Sequence, residues 1–480
     1  MLIDYAYFGE VISLDTTYCT NRDNRPLAIF SGINHYRGGV IFGAALLYDE
    51  TIESFKWLFE IFLRAHKNVR PLTIFTNQDA AMTRALQEVM PEVKHALCTW
   101  HISRNAMKHL NNSTKDGSHI MSDFNHCMYH CWNETEFEEA WQELLSRHRM
   151  EENAWLISMY QIKEKWAACY IKGSMTLGMR SIQISKSINY CVKSCTHPKN
   201  DLNQFFQKFE QAIEDKRYTE LEREFDTRDK LPRLILQNSC MLRQLSEVYT
   251  RPIFDLFQFQ YDLRDATCIK ERKQRKTNED EENCATLFDY VITMVNKRGV
   301  YSLTFDPLTE TITYSCKKFE RVGILCCHAL RVLYDRDVKL LPEKYITKRW
   351  TREARSGVVY DLKGKQIKAN PKLETSRRYR QLCPMVVKLA SDASESLEAF
   401  SLVHEGILEL TKRVNELRIK QKDNDGDGDG ERNHKSNYVD GGNGGDSKVI
   451  GFKKRDGRKS KKRLRSCVEK SSQKRQRIQA

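Results

Sequence analysis

The first hundred residues alternate between short strand-like runs and helical repeats, and this alternation limits the available folds more than any other feature. Residues 11–14 form an apolar run that ends at Asp15. Residues 26–33 and 40–48 are two further strands, and the turn His35-Tyr36-Arg37-Gly38-Gly39 joins them as a hairpin. Phe55, Leu58, Phe59 and Phe62 then recur at helical spacing. Residues 72–75 read as a fourth strand. Met82, Leu86 and Val89 mark a helix that stops at Pro91, and Ala96-Leu97-Cys98 reads as a fifth strand. The order β-β-β-α-β-α-β predicts a mixed five-stranded sheet with helices on its faces.

That order is also the ribonuclease-H-like one, in which the first and fourth strands lie side by side. The strand ends at Asp15 and Asn77 are then neighbours. Residues 1–103 are read as the first part of this core. Residues 104–265 are a large helical insertion with the remainder of the core, where Phe137, Trp141, Leu144 and Leu145 make one amphipathic face. Residues 266–285 are charged and poor in apolar side chains, and are read as a linker. Strand-like alternation returns in Tyr301-Ser302-Leu303-Thr304-Phe305, and a Cys/His cluster follows. Residues 286–335 are therefore expected to be a small α+β module resembling a zinc finger. Residues 336–421 are read as helical. Within them Ala393, Leu397, Phe400, Val403, Ile407, Leu410, Val414 and Leu417 step by four and three, a seam of coiled-coil type with one irregular step. The seam suits a dimer contact or packing on the chain's own domain, and Gly406 weakens a free-standing coil. Residues 422–480, first rich in Gly and Asp and then basic, are expected to be disordered.

Charge is unevenly placed. Of the formal +14, +11 falls between Lys453 and Ala480, where 13 Lys and Arg face two acids. Lys453, Lys454, Arg455, Lys461, Lys462, Arg463 and Arg465 make a dense run suited to nuclear import or phosphate contact. Met1-Leu2-Ile3-Asp4 does not read as a signal peptide. No apolar run approaches the roughly 20 residues of a membrane span, so no membrane partner is expected. The 15 cysteines are scattered and odd in number, which argues against a disulfide scaffold.

The strongest metal signal is Cys316-x9-Cys326-Cys327-His328, because thiolate and imidazole are the ligands zinc prefers. Cys98 and His101 have the right atom types for a second site, but their spacing equally suits two core side chains. His126-Cys127-Met128-Tyr129-His130-Cys131 has helical spacing without a second ligand pair, and reads as a core-facing helix. The stretch 423–429 imitates a calcium loop, but His434 stands where the bidentate Glu belongs.

Several segments together resemble Mutator-like transposases: Asp15-Thr16-Thr17-Tyr18, Phe42-Gly43 with Leu46-Leu47 and Asp49-Glu50-Thr51, Gln78-Asp79 with Ala81-Met82, and Cys98 with His101-Ile102. Gly178-Met179-Arg180-Ser181, Cys316-Lys317-Lys318-Phe319-Glu320, Gly323-Ile324-Leu325-Cys326, His328-Ala329-Leu330 and Arg349-Trp350 narrow this to the plant far-red impaired response family. These are transcription factors domesticated from such transposases, and the resemblance covers about residues 5–355. It implies three parts: an N-terminal zinc-finger DNA-binding module, a transposase-like core and a SWIM-type zinc finger. This chain begins at the core, so autonomous sequence-specific DNA reading is not expected of it.

The resemblance also implies three acids that hold two divalent metals. The first maps onto Asp15. The second falls on Asn77 in Thr76-Asn77-Gln78-Asp79, and the third on Lys186 in Ile184-Ser185-Lys186-Ser187. An amide offers a metal one neutral oxygen, and an ammonium offers none. No catalytic residues are therefore expected, and the chain reads as a non-enzyme. The finger pattern Cys-x-Cys…Cys-x-His has Tyr314 at its first position, followed by Cys316, Cys326 and His328. A phenol with a pKa of about 10 is a poor zinc ligand, so one zinc site with three protein ligands is expected at most. The expected role is a nuclear transcription regulator in far-red light signalling. It would act through homo- or heterodimers with relatives and through indirect or non-specific DNA contacts, without a small-molecule substrate. The rival readings are an active DNA transposase and a decayed gene product.

Overall fold

A computed structural model describes residues 1–110, 119–181, 183–229, 231–276, 286–295, 299–356 and 396–424, together with 359, 382, 385, 386, 389 and 392–394. The chain divides into two units, Met1–Lys388 and Leu389–Ala480.

The first unit is built on five strands: β1 (Val11–Thr17), β2 (Leu27–Ile33), β3 (Gly39–Leu46), β4 (Thr73–Thr76) and β5 (Lys94–Leu97). They form a mixed sheet in the order β3-β2-β1-β4-β5. β1 runs antiparallel to β2 and parallel to β4, with Ser13 opposite Phe75. The predicted neighbourhood of the first and fourth strands is therefore present, and Asn77 lies two positions beyond Phe75, the last paired residue of β4 on this side.

Alternation along the strands sends side chains to two apolar layers. On β2, Ala28 and Phe30 join a cluster with Phe55, Phe59 and Met82 from the helices Ile52–Ala65 and Ala80–Val89. Leu27 and Ile29 join Ile188, Val192, Phe205 and Phe209 from the helices Gln183–Cys195 and Leu202–Asp229. Both helices on the first layer are capped: the Thr51 hydroxyl and the Asp79 carboxylate accept from Ser54 and Met82 backbone N–H groups. The expected helical stretch starts at Thr99–Leu110 and reaches Arg251–Leu263. Its packed centre includes Phe124, Phe137, Trp141 and Trp166.

A second sheet follows. β6 (Thr267–Lys276), β7 (Thr286–Met294), β8 (Val300–Asp306) and β9 (Thr311–Tyr314) form an antiparallel meander. This corrects the expected linker at 266–285, because residues 267–276 are a strand paired along β7, from Thr267 opposite Met294 to Lys276 opposite Thr286. Residues 277–285 lie outside the described residues. β6 is an edge strand whose Glu, Lys, Arg and Gln side chains face solvent, so its composition imitates a linker. Its main-chain ladder holds it in place. The sheet and the helix Cys327–Asp335 share a core with the helix Arg251–Leu263. Buried Arg349 bonds the Ile33 carbonyl at 2.7 Å and pairs with Glu10, linking this half to the C-terminal end of β2 and the residue before β1.

The short helix Leu2–Phe8 was not anticipated by the periodicity. In the second unit, the helix Leu397–Asn424 contains the predicted seam from Leu397 onward. Leu397, Phe400, Ile407, Leu410, Val414 and Leu417 on it are exposed. The acidic/Gly stretch from 425 and the basic run 453–480 lie outside the described residues. No helix among the described residues is long and apolar enough to cross a membrane.

Candidate metal centre and the surroundings of Asp15

The Cys/His cluster is assembled from three local features. β9 ends at Tyr314, and Cys316 follows in the turn before the helix Lys318–Val322. That helix ends at Gly323, whose φ of +76° is the left-handed conformation glycine favours. A Cβ there would also lie 2.9 Å from the indole nitrogen of Trp350. The chain then reverses and presents Cys326 as the N-cap of the helix Cys327–Asp335, where its sulfur accepts from the Ala329 N–H at 3.4 Å.

Cys316 Sγ, Cys326 Sγ and a His328 ring nitrogen lie within 4.8 Å of one another. Cys326 and His328 are buried, and the neighbours of the His328 ring are the thiols of Cys316 and Cys327. The His328 ring stacks on Tyr301 with centroids 3.6 Å apart. Hydrogen bonding to Cys326, and then to His328, holds the Cys316 thiol below its ordinary range. These are the properties of a zinc ligand set: sulfurs within reach of one point, and an imidazole fixed by its stacking on Tyr301. The cluster fits one zinc ion.

Tyr314 adds no fourth ligand. It is buried, and its hydroxyl accepts from the Phe319 N–H at 2.8 Å. Burial raises its pKa far above the ordinary phenol value. Among the described residues, no other group of three His, Cys, Asp or Glu side chains gathers in this way. Cys98 and His101 belong to no such group of three among the described residues. Cys98 lies in the apolar core, and burial pushes the His101 imidazole down to about 4.

The second constellation surrounds Asp15. Its carboxylate accepts from Asn189 Nδ2 at 2.8 Å. Burial pushes the Asp15 pKa up to about 6, against the opposing pull of Lys186 and of the Asn189 hydrogen bond. Lys186 and Asn189 both lie on the helix Gln183–Cys195, one turn apart and thus on one face. The helix is fixed on the sheet by three buried hydroxyls. Ser185 Oγ lies 2.6 Å from Ser13 Oγ and 2.9 Å from Ser31 Oγ, and Ser13 and Ser31 are 3.0 Å apart.

Lys186 also sits over the Trp100 ring, and its ammonium is disfavoured chiefly by burial. Asn77 Oδ1 is buried without a partner. The sequence pattern pointed to Asp15, Asn77 and Lys186 but missed Asn189, Ser185 and Trp100. The only available signal was the helical spacing of Asn189 from Lys186. The basic run of Lys453, Lys454, Arg455, Lys461, Lys462, Arg463 and Arg465 is outside the described residues.

Two family models match segments of the chain. Residues 11–105 match the MULE transposase domain, and residues 315–337 match the SWIM zinc finger. The latter span includes Cys316, Cys326 and His328. Protein FAR-RED IMPAIRED RESPONSE 1 of Arabidopsis thaliana is 29% identical over 409 residues, covering 85% of this chain and 48% of that protein. FAR1-RELATED SEQUENCE 5 from the same plant is 30% identical over 418 residues, covering 86% and 51%. FAR1-RELATED SEQUENCE 4 is 29% identical over 412 residues, covering 85% and 54%. The chain thus spans about half the length of these curated relatives.

Proposed function

Because the chain belongs to the far-red impaired response family, we propose that it is a nuclear regulator derived from a Mutator-like transposase that acts by binding and not by catalysis. One observation carries this reading: an ammonium, Lys186, lies within electrostatic reach of Asp15, where the family resemblance places an acid. Two-metal cleavage needs anionic oxygens to gather two divalent cations. Here Asp15 is the retained acid, Asn77 is an amide, and Lys186 is a cation that opposes metal entry. The first sheet, with its β3-β2-β1-β4-β5 order, serves as a ribonuclease-H-like scaffold, and the second sheet with its zinc ligands is a binding module. The domain divisions at 103, 265, 335 and 421 follow the same reading, with β6 reassigned to the second module.

The exposed apolar positions of the helix Leu397–Asn424 support pairing with a second copy or a relative. The basic residues 453–480 support nuclear import and phosphate-directed DNA contact. A nicking assay on supercoiled DNA with Mg²⁺ or Mn²⁺ tests the central point. The expected result is no cleavage above that of Asp15→Ala. Metal-dependent cleavage that Asp15→Ala abolishes would establish an active nuclease and overturn the reading.

A further inference from the structure

Beside the zinc ligands lies a cavity of about 870 Å³. Cys316, Cys326 and His328 contribute to one wall. The helical region and the helix Arg251–Leu263 supply the others. A smaller hollow of about 300 Å³ adjoins it and shares Arg180, Lys318 and Arg321.

The charge in this space is one-sided. Lys172, Arg180, Lys318 and Arg321 line it, and Glu136 is the one acid among its lining residues. Glu136 is already committed, because its carboxylate accepts from the Trp132 N–H at 2.6 Å at a helix start. Among the described residues, no carboxylate pairs with any of the four cations. Lys172 bonds only a carbonyl, that of Trp132, at 3.2 Å. Arg180 lies over the Tyr129 ring at 5.7 Å. Arg321 Nε is buried without a hydrogen-bond partner. Burial and the Arg180 guanidinium both work against the Arg321 charge.

Like charges gathered in a concave site repel, and low-dielectric walls strengthen the repulsion. A zinc ion held by two thiolates and a neutral imidazole is itself near neutrality, so it supplies no counter-charge. An anionic occupant relieves the repulsion and satisfies the orphaned donor.

The apolar lining narrows the class of anion. Phe259 is 57% exposed and Trp132 43% exposed, and both border the cavity. Cations that track phosphates beside aromatic faces that stack bases are the two components of a single-strand platform. A duplex already stacks its bases internally and would leave these rings unused.

We propose that this cleft binds a short segment of single-stranded nucleic acid, with Lys172, Arg180, Lys318 and Arg321 on its phosphates and Phe259 and Trp132 against its bases. This deepens the reading of a nucleic-acid-associated regulator and rests on it for the ligand class.

The test uses the full chain and a short oligothymidylate carrying 4-thiothymidine. After photo-cross-linking, the attached peptides are identified by mass spectrometry. Affinity is measured across a salt series for the parent, Arg180→Gln/Arg321→Gln and Phe259→Ala. Cross-links are expected at 129–132 and at 259. The double variant is expected to lose at least about ten-fold in affinity and to flatten the salt slope by about 1.4, the value for two single-strand phosphate contacts. Phe259→Ala, at an exposed position, is expected to lose about ten-fold with an unchanged slope. Cross-links confined to 453–480, with unchanged affinities in both variants, would overturn the cleft while leaving nucleic-acid association intact. Failure of the parent to bind any oligonucleotide would overturn both the cleft and its ligand class. Binding of inositol hexakisphosphate in place of oligothymidylate, lost in the double variant, would show a free-phosphate site and overturn the single-strand assignment.

Discussion

Tyr314→Cys exchanges a packing side chain for a thiolate, and the two consequences have opposite signs that zinc can separate. Tyr314 is only 4% exposed and its hydroxyl accepts the Phe319 N–H. Truncating a buried aromatic side chain to the size of cysteine leaves a cavity and an unsatisfied donor, together costing about 3 kcal/mol. In excess chelator the variant should therefore unfold several degrees below the parent. With zinc present, a third thiolate supplies the fourth ligand, completes the Cys-x-Cys…Cys-x-His set and closes the coordination sphere. Zinc binds the folded chain, so its stabilisation grows as RT ln(1 + [Zn]/Kd) and reaches about 2.7 kcal/mol at a hundred-fold excess over Kd. The variant should then come level with the zinc-free parent near that ratio. The assay is thermal unfolding of both proteins in a buffered free-zinc series, with bound zinc counted by mass spectrometry. The parent should hold about one zinc and show the weaker dependence. Parallel curves would mean that residue 314 cannot reach the ion. An undiminished melting temperature in chelator would mean that Tyr314 does not pack as described. Either result refutes the reasoning.

Three further outcomes are expected. Asn77→Asp/Lys186→Glu restores two acids beside Asp15 and should confer Mn²⁺ binding measurable by calorimetry, which adding Asp15→Ala should remove. Burial holds the Asp15 carboxyl at about 6, against an ordinary 3.8, so its ionised form costs the fold roughly 3 kcal/mol at neutral pH. Because the folded value lies above the unfolded one, this penalty is complete above about pH 6 and absent below about pH 4. Asp15→Asn, which still accepts from Asn189, should thus raise stability in urea unfolding at pH 7 and match the parent near pH 3.5; equal curves at pH 7 would contradict the assigned burial. Leu410→Glu places a charge on the exposed seam of the helix Leu397–Asn424 and should shift a dimer to monomer in light scattering, with no change in the thermal unfolding of the first unit.

The first sheet was legible in the sequence because its strands are short apolar runs separated by turn residues and helical repeats. The adjacency of the first and fourth strands was expected from the ribonuclease-H-like element order, and β1 does pair with β4. The helix Leu2–Phe8 was not legible, since a seven-residue apolar run has no distinguishing period. β6 was hidden for the opposite reason. Thr267–Lys276 is almost entirely charged beyond Ile269, and an edge strand facing solvent needs its neighbour's backbone more than apolar side chains of its own. The metal ligands were legible by spacing, whereas Tyr314 needed the fold to show what it does: its hydroxyl is occupied at Phe319. The cleft could not have been read at all. Its cations lie at 172, 180, 318 and 321 and its exposed rings at 132 and 259, and no local pattern links them. What unites them is the meeting of the helical region with the second sheet, and the charge imbalance exists only after folding. A site remnant with a retained acid and a basic cleft elsewhere are thus two different kinds of evidence. The first rests on the proposed reading, in which Asn77 and Lys186 stand where the resemblance places acids. The second is a like-charge cluster that costs folding free energy, so its presence argues for an occupant.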